Sequence, residues 1–473
     1  MRKLLLILIF ALTSSLFTVC EGQYTDLIDF GGASSPQGSF PCGDLTLSGS
    51  VLYGMTHEGG ANNDGCIFSV NTDGSGYADI LDFTGANGKY PYGSLTISGT
   101  VLYGMTYFGG TKNMGRIFSI NTNGSGYKDL LDFDSLNGAN PYGSLTLSGN
   151  KLYGMAFIDA GAGFGCIFSI NKSGGGYKNL LNFNGTFPPY GSFPIGSLTL
   201  SGTKLYGLAQ QGGVNNDGNI FSIDTSGNDY TDLLDFNYTN GSTPWGSLIL
   251  SGKVLYGMTG SGGANGVGCV FAIDTNGSGY QTLLSFNHTN GALPYGSLRL
   301  AGSTLCGMTY YGGAHDSGCV FSINTNGSGY KDLLDFSGPN GGSPFGDVTL
   351  AGDTLYGMTI FGGANKDGVI FSLIDAGLGI NNLPANNGAI NIYPNPSNGV
   401  FTIEAKSEEL RTKNSLEIYN MLGEKVYSAI LPQTSEGALN EINISNQPNG
   451  IYLYRVLNED GSLVGEGKLV VQK

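Results

Sequence analysis

Residues 93–133 read GSLTISGTVLYGMTYFGGTKNMGRIFSINTNGSGYKDLLDF, and this stretch decides the fold. It holds four short runs with strand character, at 93–98, 101–106, 116–120 and 127–133. Ser-Gly separates the first two runs and NTNGSG the last two, and glycine and asparagine permit the left-handed backbone that such tight turns need. Four short antiparallel strands with no helical stretch between them predict one blade of a β-propeller.

The same unit recurs along the chain with a period of fifty residues and one step of fifty-three. A fixed period of this length is typical of propellers, solenoids and arrays. The motif LYGMT or a close variant marks the seven units, beginning at Leu52, Leu102, Leu152, Leu205, Leu255, Leu305 and Leu355. The first unit is preceded by a lone fourth-strand run at 24–30, whereas the last stops after its third strand near 371–373. Because pairing the two fragments would remove both free sheet edges, we expect a closed, all-β, seven-bladed β-propeller of four-stranded blades.

The composition narrows the possible partners. The chain of 473 residues contains 80 glycines and carries a formal net charge of −15, with only 21 Lys and Arg residues. Since nucleic acids are bound by clustered basic side chains, the sequence excludes a nucleic-acid partner.

The cysteines are expected to be small buried residues rather than disulfides. Four of the seven occupy the same place in different repeats, too far apart to bridge if the ring forms. These four are Cys66, Cys166, Cys269 and Cys319. Cys42 and Cys66 are the one pair within a repeat that is close enough to consider for a disulfide.

The residues of the repeat resemble two known families. A strand ending in Tyr107, Phe108 and a double glycine, followed by a strand, a turn and an aromatic-led strand, resembles the kelch repeat. The string LYGMT, GG and FSINTNGSGY is more similar to the GloVer tandem repeat of bacterial exported proteins, over about residues 24–373. That resemblance implies a kelch-like propeller and carries no established activity that could be transferred.

The N-terminus has the pattern of a secretory signal peptide at residues 1–22. Two basic residues precede a short apolar run, which is too short to span a membrane. Cleavage would leave Gln23 at the start of a propeller that extends over 23–373, and a linker follows at 374–389. The alternative is a lipidated N-terminus at Cys20. No other segment has the apolar length of a transmembrane helix, so none is expected.

Residues 390–473 differ in composition and are expected to form a small C-terminal β-sandwich. Four motifs in order, IYPNPSNG, LEIYNMLGEKVY, NGIYL and GKLVVQK, resemble the type IX secretion system (type A) sorting domain. The resemblance implies contact with the type IX machinery and a product that is extracellular or held at the outer cell surface of a Gram-negative bacterium. An ordinary ligand-binding sandwich is the alternative. The residues that carry the sorting motif are Pro394, Asn395, Pro396, Gly399, Gly423, Gly450, Tyr452 and Lys468.

One face of the propeller is expected to carry the ligand. The long loops between second and third strands and between blades emerge on that face, whereas the other face carries mostly tight turns. Exposed aromatic residues on such loops can stack on sugar rings or peptide side chains, although the same rings could instead wedge adjacent blades together. The candidates are Trp245, Tyr92, Tyr142, Tyr295 and Phe345, which precede the innermost strands, and Tyr107, Tyr310 and Tyr311, which lie near the double glycines.

A resident metal or cofactor is not expected. Asp44 and Asp347 replace the usual serine at the start of innermost strands that ring closure makes adjacent, so they could hold a cation, with Arg299 as a residue that could instead neutralise them. His57, His288 and His315 lie in loops of the same face but in different blades, and a copper or zinc site needs several imidazoles together. No nucleophile, base and orienting acid recur at a recognisable spacing.

The sequence therefore favours a secreted, monomeric surface protein without catalytic activity, which binds an extracellular ligand on its loops or serves as a scaffold. A glycan is the first ligand class to test. The alternative is a surface hydrolase or lyase acting on polysaccharide, because two acids on one face could reach the separation that glycoside cleavage requires.

Overall fold

The computed structural model describes residues 23–31, 37–158, 163–185, 191–375, 390–405, 414–420, 425–431, 439–457 and 463–473. Their regular structure consists of β-strands, and no helix in this part of the chain is long and apolar enough to cross a membrane. The chain divides into two compact units, Met1–Ala376 and Gly377–Lys473. The predicted signal peptide, most of the predicted linker and Gly423 lie outside the described residues.

The first unit contains twenty-eight strands in its described residues. They are β1 (Gln23–Asp29), β2 (Thr46–Ser48), β3 (Val51–Thr56), β4 (Cys66–Asn71), β5 (Ala78–Asp82), β6 (Thr96–Ser98), β7 (Val101–Thr106), β8 (Arg116–Asn121), β9 (Lys128–Asp132), β10 (Thr146–Ser148), β11 (Lys151–Ala156), β12 (Cys166–Asn171), β13 (Lys178–Asn182), β14 (Thr199–Ser201), β15 (Lys204–Ala209), β16 (Asn219–Asp224), β17 (Thr231–Asp235), β18 (Ile249–Ser251), β19 (Val254–Thr259), β20 (Cys269–Asp274), β21 (Gln281–Ser285), β22 (Arg299–Ala301), β23 (Thr304–Thr309), β24 (Cys319–Asn324), β25 (Lys331–Asp335), β26 (Thr349–Ala351), β27 (Thr354–Thr359) and β28 (Val369–Ile374).

These strands form seven four-stranded antiparallel sheets, one for each repeat. Six sheets are consecutive in sequence, from β2-β3-β4-β5 in blade one to β22-β23-β24-β25 in blade six. Blade seven has the order β1-β28-β27-β26, with Gln23 opposite Ile374 and Tyr24 opposite Leu373. The predicted fold class is confirmed, and the N-terminal strand completes the last blade.

The innermost strands are shorter than the sequence predicted. In blade two the run was expected over 93–98, whereas β6 begins at Thr96. The reason is that Ser94 donates its backbone N–H to Ser144 Oγ of blade three, at 2.7 Å, rather than to a neighbouring strand of its own blade. Residues before each innermost strand therefore join blades instead of extending the sheet.

Seven glycines allow adjacent blades to pack closely around the axis. A Cβ on Gly196 would lie 2.1 Å from the carbonyl oxygen of Gly246, and one on Gly346 would lie 2.5 Å from that of Gly43. Backbone therefore packs directly on backbone, and no side chain fits between. The glycines of this axial ring are Gly43, Gly93, Gly143, Gly196, Gly246, Gly296 and Gly346.

A closed circle of hydrogen bonds follows the axial ring. In each blade, the residue after the glycine donates its N–H to the side chain of the equivalent residue in the next blade, at 2.6–2.8 Å in six of the seven contacts. Ser297 makes the seventh, to Asp347. The last blade closes on the first through Asp347 N and Asp44 Oδ1 at 2.6 Å.

The apolar core lies between adjacent sheets. One cluster joins Tyr53 and Ile67 of blade one to Leu102 and Phe118 of blade two, and all four are buried. Another joins Tyr356 of blade seven to Phe68 of blade one. Because each sheet is covered only by its two neighbours, burial of the apolar surface depends on closure of the ring.

All six cysteines in the described part of the chain are buried, and none of these six forms a disulfide bond. Cys66 contacts the Thr56 hydroxyl at 3.3 Å, and Cys269 and Cys319 make the same contact in their own blades. Cys42 and Cys66 therefore do not bridge. Burial raises the pKa of both thiols to about 12, so they remain protonated.

The second unit is a small sandwich of a three-stranded and a four-stranded sheet, as predicted, with the orders β29-β30-β33 and β32-β31-β34-β35. Its core contains Phe401, Leu416, Tyr452 and Leu469. The strands are β29 (Ile390–Tyr393), β30 (Val400–Ala405), β31 (Asn414–Asn420), β32 (Lys425–Leu431), β33 (Leu439–Asn443), β34 (Gly450–Leu457) and β35 (Leu463–Val471).

Candidate functional site

The two ends of the propeller differ in their exposed apolar surface. We call the end with the loops between second and third strands and between blades the loop face, and the opposite end, with the tight turns, the turn face. Six large hydrophobic residues of the described propeller are strongly exposed, and Ile374 is the one on the turn face. The five on the loop face are Leu136, Val214, Tyr238, Tyr311 and Phe361. The strongly exposed apolar side chains of the described propeller therefore lie mostly on the loop face.

Five aromatic residues fill the axis at the loop face, and we call them the aromatic plug: Tyr92, Tyr142, Trp245, Tyr295 and Phe345. Each directly precedes a glycine of the axial ring. The Tyr92 and Tyr142 rings stack with centroids 4.3 Å apart. Tyr142 also reaches across the axis to Trp245, at 6.1 Å, and to Phe345, at 6.4 Å. The plug leaves a cavity of only about 60 Å³ among its members and the axial ring, so it closes this end of the channel.

Three further tyrosines surround the plug. Tyr107 lies 5.2 Å from Tyr92, and Tyr310 lies 5.2 Å from Tyr295, centroid to centroid. Tyr311 contacts Tyr310 at 4.6 Å. All eight predicted ligand-binding aromatics therefore belong to one connected cluster. Their role in binding a ligand stays a prediction.

Five tyrosines of this cluster have raised pKa values, so their hydroxyl groups are neutral. Burial raises the pKa of Tyr92 to about 12 and raises the pKa of Tyr142 still further. The pKa values of Tyr107, Tyr295 and Tyr310 are also raised, mainly by burial. These phenols can donate and accept hydrogen bonds near neutral pH, but they are not available as phenolate bases.

The rim around the plug varies from blade to blade. It is formed by the residue after each LYGMT motif: His57, Tyr107, Phe157, Gln210, Gly260, Tyr310 and Ile360. At Gly260 a Cβ would lie 2.9 Å from Trp245 Cδ1 and 3.3 Å from Tyr295 Cε1. The rim therefore lacks a side chain in blade five because the indole of Trp245 lies there.

The sequence points to His57 only as a possible metal ligand, whereas the structure places it in the aromatic cluster. Its ring lies 4.4 Å from Tyr92 and 4.9 Å from Tyr90, centroid to centroid. Its Nδ1 atom is buried and makes no hydrogen bond. Burial lowers the pKa of His57 to about 4, so the imidazole is neutral at neutral pH. The sequence did contain a signal, because His57 occupies the repeat position of Tyr107 and Tyr310.

The structure brings Asp44 and Asp347 together through the bond that closes the ring. Burial and the charge of Asp44 raise the pKa of Asp347. Throughout the described residues, no group of three or more His, Cys, Asp or Glu side chains could hold a metal ion.

Several residues of the predicted sorting motif make specific contacts within the second unit. Asn395 binds β35 with both ends of its amide, because Oδ1 accepts from Val470 N and Nδ2 donates to Lys468 O, each at 2.8 Å. Gly399 has a φ of 99°, and a Cβ there would lie 2.6 Å from Ser445 Cα. The Tyr452 hydroxyl donates to Pro448 O at 2.8 Å. Asn395 thus joins the segment after β29 to the C-terminal strand β35.

Two families match the chain. Residues 9–207, 147–316 and 186–371 match the Gloeobacter/Verrucomicrobia repeat, and residues 391–472 match a secretion system C-terminal sorting domain. No curated protein matches.

Several solved structures are similar to this chain at low sequence identity. The tricorn protease is 11% identical over 92% of this chain, which spans 40% of that protein, with a TM-score of 0.37. Polysaccharide lyase Uly1 is 11% identical over 73% of this chain and 91% of its own, with a TM-score of 0.44. A xyloglucan-locus GH43B protein of Bacteroides ovatus is 12% identical over 79% of this chain and 88% of its own, with a TM-score of 0.28. None of these similarities assigns an activity to this chain.

Proposed function

The chain belongs to the Gloeobacter/Verrucomicrobia repeat family and is a secreted, cell-surface-associated protein, and from this premise we propose that its propeller is a non-catalytic binding or scaffold module whose loop face contacts a glycan. The C-terminal sorting domain directs export through the type IX secretion machinery. Because the C-terminal domain serves export, we assign ligand binding outside the cell to the propeller.

The observation that carries this proposal is the connected cluster of eight aromatic residues on the face that also holds most of the exposed apolar side chains. Aromatic rings with neutral hydroxyl groups suit sugars, because the ring stacks on the apolar side of a pyranose while the hydroxyl bonds to its edge. The formal net charge of −15 favours neutral glycans over anionic ones, since the protein repels negative charge at long range.

A second candidate is a surface polysaccharide hydrolase or lyase, and His57 is the observation that favours it. A neutral imidazole with an unpaired nitrogen beside the Tyr92 ring is a base and an acid side by side. Within the described residues, His57 belongs to no group of three or more His, Cys, Asp or Glu side chains that could hold a metal ion. A single His–Tyr pair supports the enzyme, whereas eight connected aromatic residues support the binding module, which is the better supported of the two.

A glycan panel tests both candidates with the full chain. Retention without release of reducing ends or unsaturated ends is the result expected for a binding module. The double variant Trp245→Ala, Tyr311→Ala should lose retention, and Ile374→Ala, which removes an exposed side chain on the turn face, should keep it. Release of sugar ends that is abolished in His57→Tyr would establish the enzyme instead. Equal retention by both variants would contradict the choice of face.

A further inference from the structure

A polar chamber occupies the axis beneath the aromatic plug. Its volume is about 560 Å³, and it is lined by the innermost strands where they run from the plug towards the turn face. The lining combines serine hydroxyls and leucines with three charged residues, Asp44, Arg299 and Asp347, and contains no aromatic residue. The chamber meets the small cavity of the plug at Asp44, Asp347 and the neighbouring serines, but its lining differs in chemistry from the aromatic candidate site on the loop face.

The repeat shows what the ring itself requires at these positions. Five blades use serine where blades one and seven have Asp44 and Asp347. Five blades use threonine where blade six has Arg299, and these threonines donate to a backbone carbonyl of the next blade, as Thr46 does to Leu95 O at 2.6 Å. Neutral hydroxyl groups are therefore sufficient to close the ring.

The three charged residues carry more polar atoms than closure uses. Asp44 and Asp347 each accept one hydrogen bond of the circle that follows the axial ring. The serines of the other blades use their single side-chain oxygen for this bond, whereas a carboxylate has a second oxygen. Arg299 donates from Nε to Val348 O at 3.4 Å. Its two Nη atoms make no hydrogen bond or ion pair within the described residues.

These charges do not stabilise the fold in an obvious way. Asp347 is partly buried next to Asp44, and both its burial and that neighbour disfavour its ionised form. Arg299 offsets part of this cost without forming an ion pair. Charged groups that a fold does not need, and that line a cavity, point to a ligand.

We propose that the axial chamber binds a small zwitterion such as a free α-amino acid, with its carboxylate on the Arg299 guanidinium and its ammonium group on Asp44 and Asp347. A planar guanidinium with free Nη atoms matches a carboxylate, and carboxylates accept from an ammonium group. A metal cation would lie beside the guanidinium, and a simple anion would lie beside two carboxylates. Only a ligand with both charges complements all three residues.

The test uses calorimetric titration of the full chain with free L-amino acids, and with acetate, methylamine and Ca²⁺ as partial ligands. The informative variants are Arg299→Thr and Asp347→Ser, because each introduces the residue that other blades carry at the same position and so preserves the ring bonds. We expect saturable binding of at least one amino acid to the unaltered protein, and affinity weaker by about tenfold or more in both variants. Tyr311→Ala on the loop face should bind the amino acid normally.

Three results would overturn the proposal. The first is that no free amino acid binds the unaltered protein. The second is that Arg299→Thr or Asp347→Ser, shown to be folded by an unchanged unfolding transition, binds as well as the unaltered chain. The third is that Ca²⁺, acetate or methylamine alone binds as tightly as the amino acid, because a single charge would then suffice.

Discussion

The axial ring and the rim of the loop face lie fourteen residues apart in the sequence of every blade, yet they differ in how far the blades agree. The ring has glycine in all seven blades, because backbone packs on backbone there and any side chain would collide. The rim has six residue types in seven blades. Where one geometric requirement applies to every blade, one residue satisfies it. Where the blades differ, symmetry no longer explains the residue, and recognition becomes the better explanation.

Replacing a ring glycine should have the largest effect. In Gly196→Ala the new Cβ would lie 2.1 Å from the carbonyl oxygen of Gly246, which the closed ring cannot move aside. We expect a loss of more than about 4 kcal/mol in the free energy of unfolding, or no folded protein. Urea unfolding measures the change. Gly175→Ala is the matched control, because a Cβ there meets nothing within 4 Å, and a comparable loss in that variant would contradict the account.

A second comparison sets a phenylalanine of the core against one of the loop face. Phe30 is fully buried and packs against Phe68 at 5.6 Å, joining blade seven to blade one. Phe30→Ala should lower the free energy of unfolding by about 3 kcal/mol, because it leaves a cavity where the ring closes. Phe361 is 44% exposed, so Phe361→Ala should change stability by less than about 1 kcal/mol. Similar losses in the two variants would show that the loop face is part of the core.

The outer strands allow a test by pH. Burial and a nearby aspartate raise the pKa of Asp79, Asp232 and Asp332 to about 6. The folded state then binds more protons than the unfolded state between about pH 4 and pH 6, so stability should fall as pH rises through that window. These groups are about half exposed, so solvent screening limits the effect to about 1 kcal/mol or less for each. Urea midpoints between pH 4 and pH 8 would check it, and a rising trend would be contrary to expectation.

Blade two provides the internal contrast for this pH effect. There Arg116 contacts Asp129 at 2.5 Å and Asp132 at 2.6 Å, and the pKa of Asp132 is lowered rather than raised. Arg116→Cys introduces the residue that blade one carries at this position, which leaves the two aspartates as a like-charged pair. The decline in stability with rising pH should become steeper in this variant, and an unchanged slope would argue against the electrostatic explanation.

The smallest effect is expected in the sorting domain. Glu417 contacts Lys425 at 2.7 Å and Arg455 at 2.6 Å, and the two basic side chains are 47% and 46% exposed. These partners lower the pKa of Glu417 to about 2, so its contribution is present above about pH 4 and is lost as pH falls towards 2. Glu417→Gln should change stability at neutral pH by about 0.5 kcal/mol or less, because exposed ion pairs contribute little. A larger loss, measured by urea unfolding, would mean that this cluster is structural.

The repeat made much of the fold predictable. Ser-Gly and Asn-Gly pairs mark its turns. The unpaired strand-like run at 24–30 indicated how the ring closes. The start of the innermost strand was wrong by three residues, since a single repeat does not reveal that Ser94 bonds to another blade. Contacts between blades depend on the geometry of the closed ring, so the pattern of one repeat does not predict them.

The candidate site was predictable to a similar depth. Residues at the same position of each repeat lie at the same height around the axis of a propeller. The sequence alone therefore predicted that the eight aromatic residues lie on one face. The contact of Tyr142 with Phe345 across the axis depends on the diameter of the ring, which no local pattern encodes. The membership of His57 in the cluster follows from its repeat position, which Tyr107 and Tyr310 occupy in other blades, and not from its residue type.

Trp245 is the only tryptophan in the chain and lies in the plug, so its fluorescence reports directly on the proposed contact face. The decisive measurement is a fluorescence titration of the full chain with a glycan that the panel retains. We predict a saturable change in emission with the same midpoint as retention, which Gln210→Ala beside the plug alters and Ile374→Ala on the turn face leaves unchanged. Tight retention with no change in Trp245 emission would contradict the account, because the ligand would then bind away from the plug.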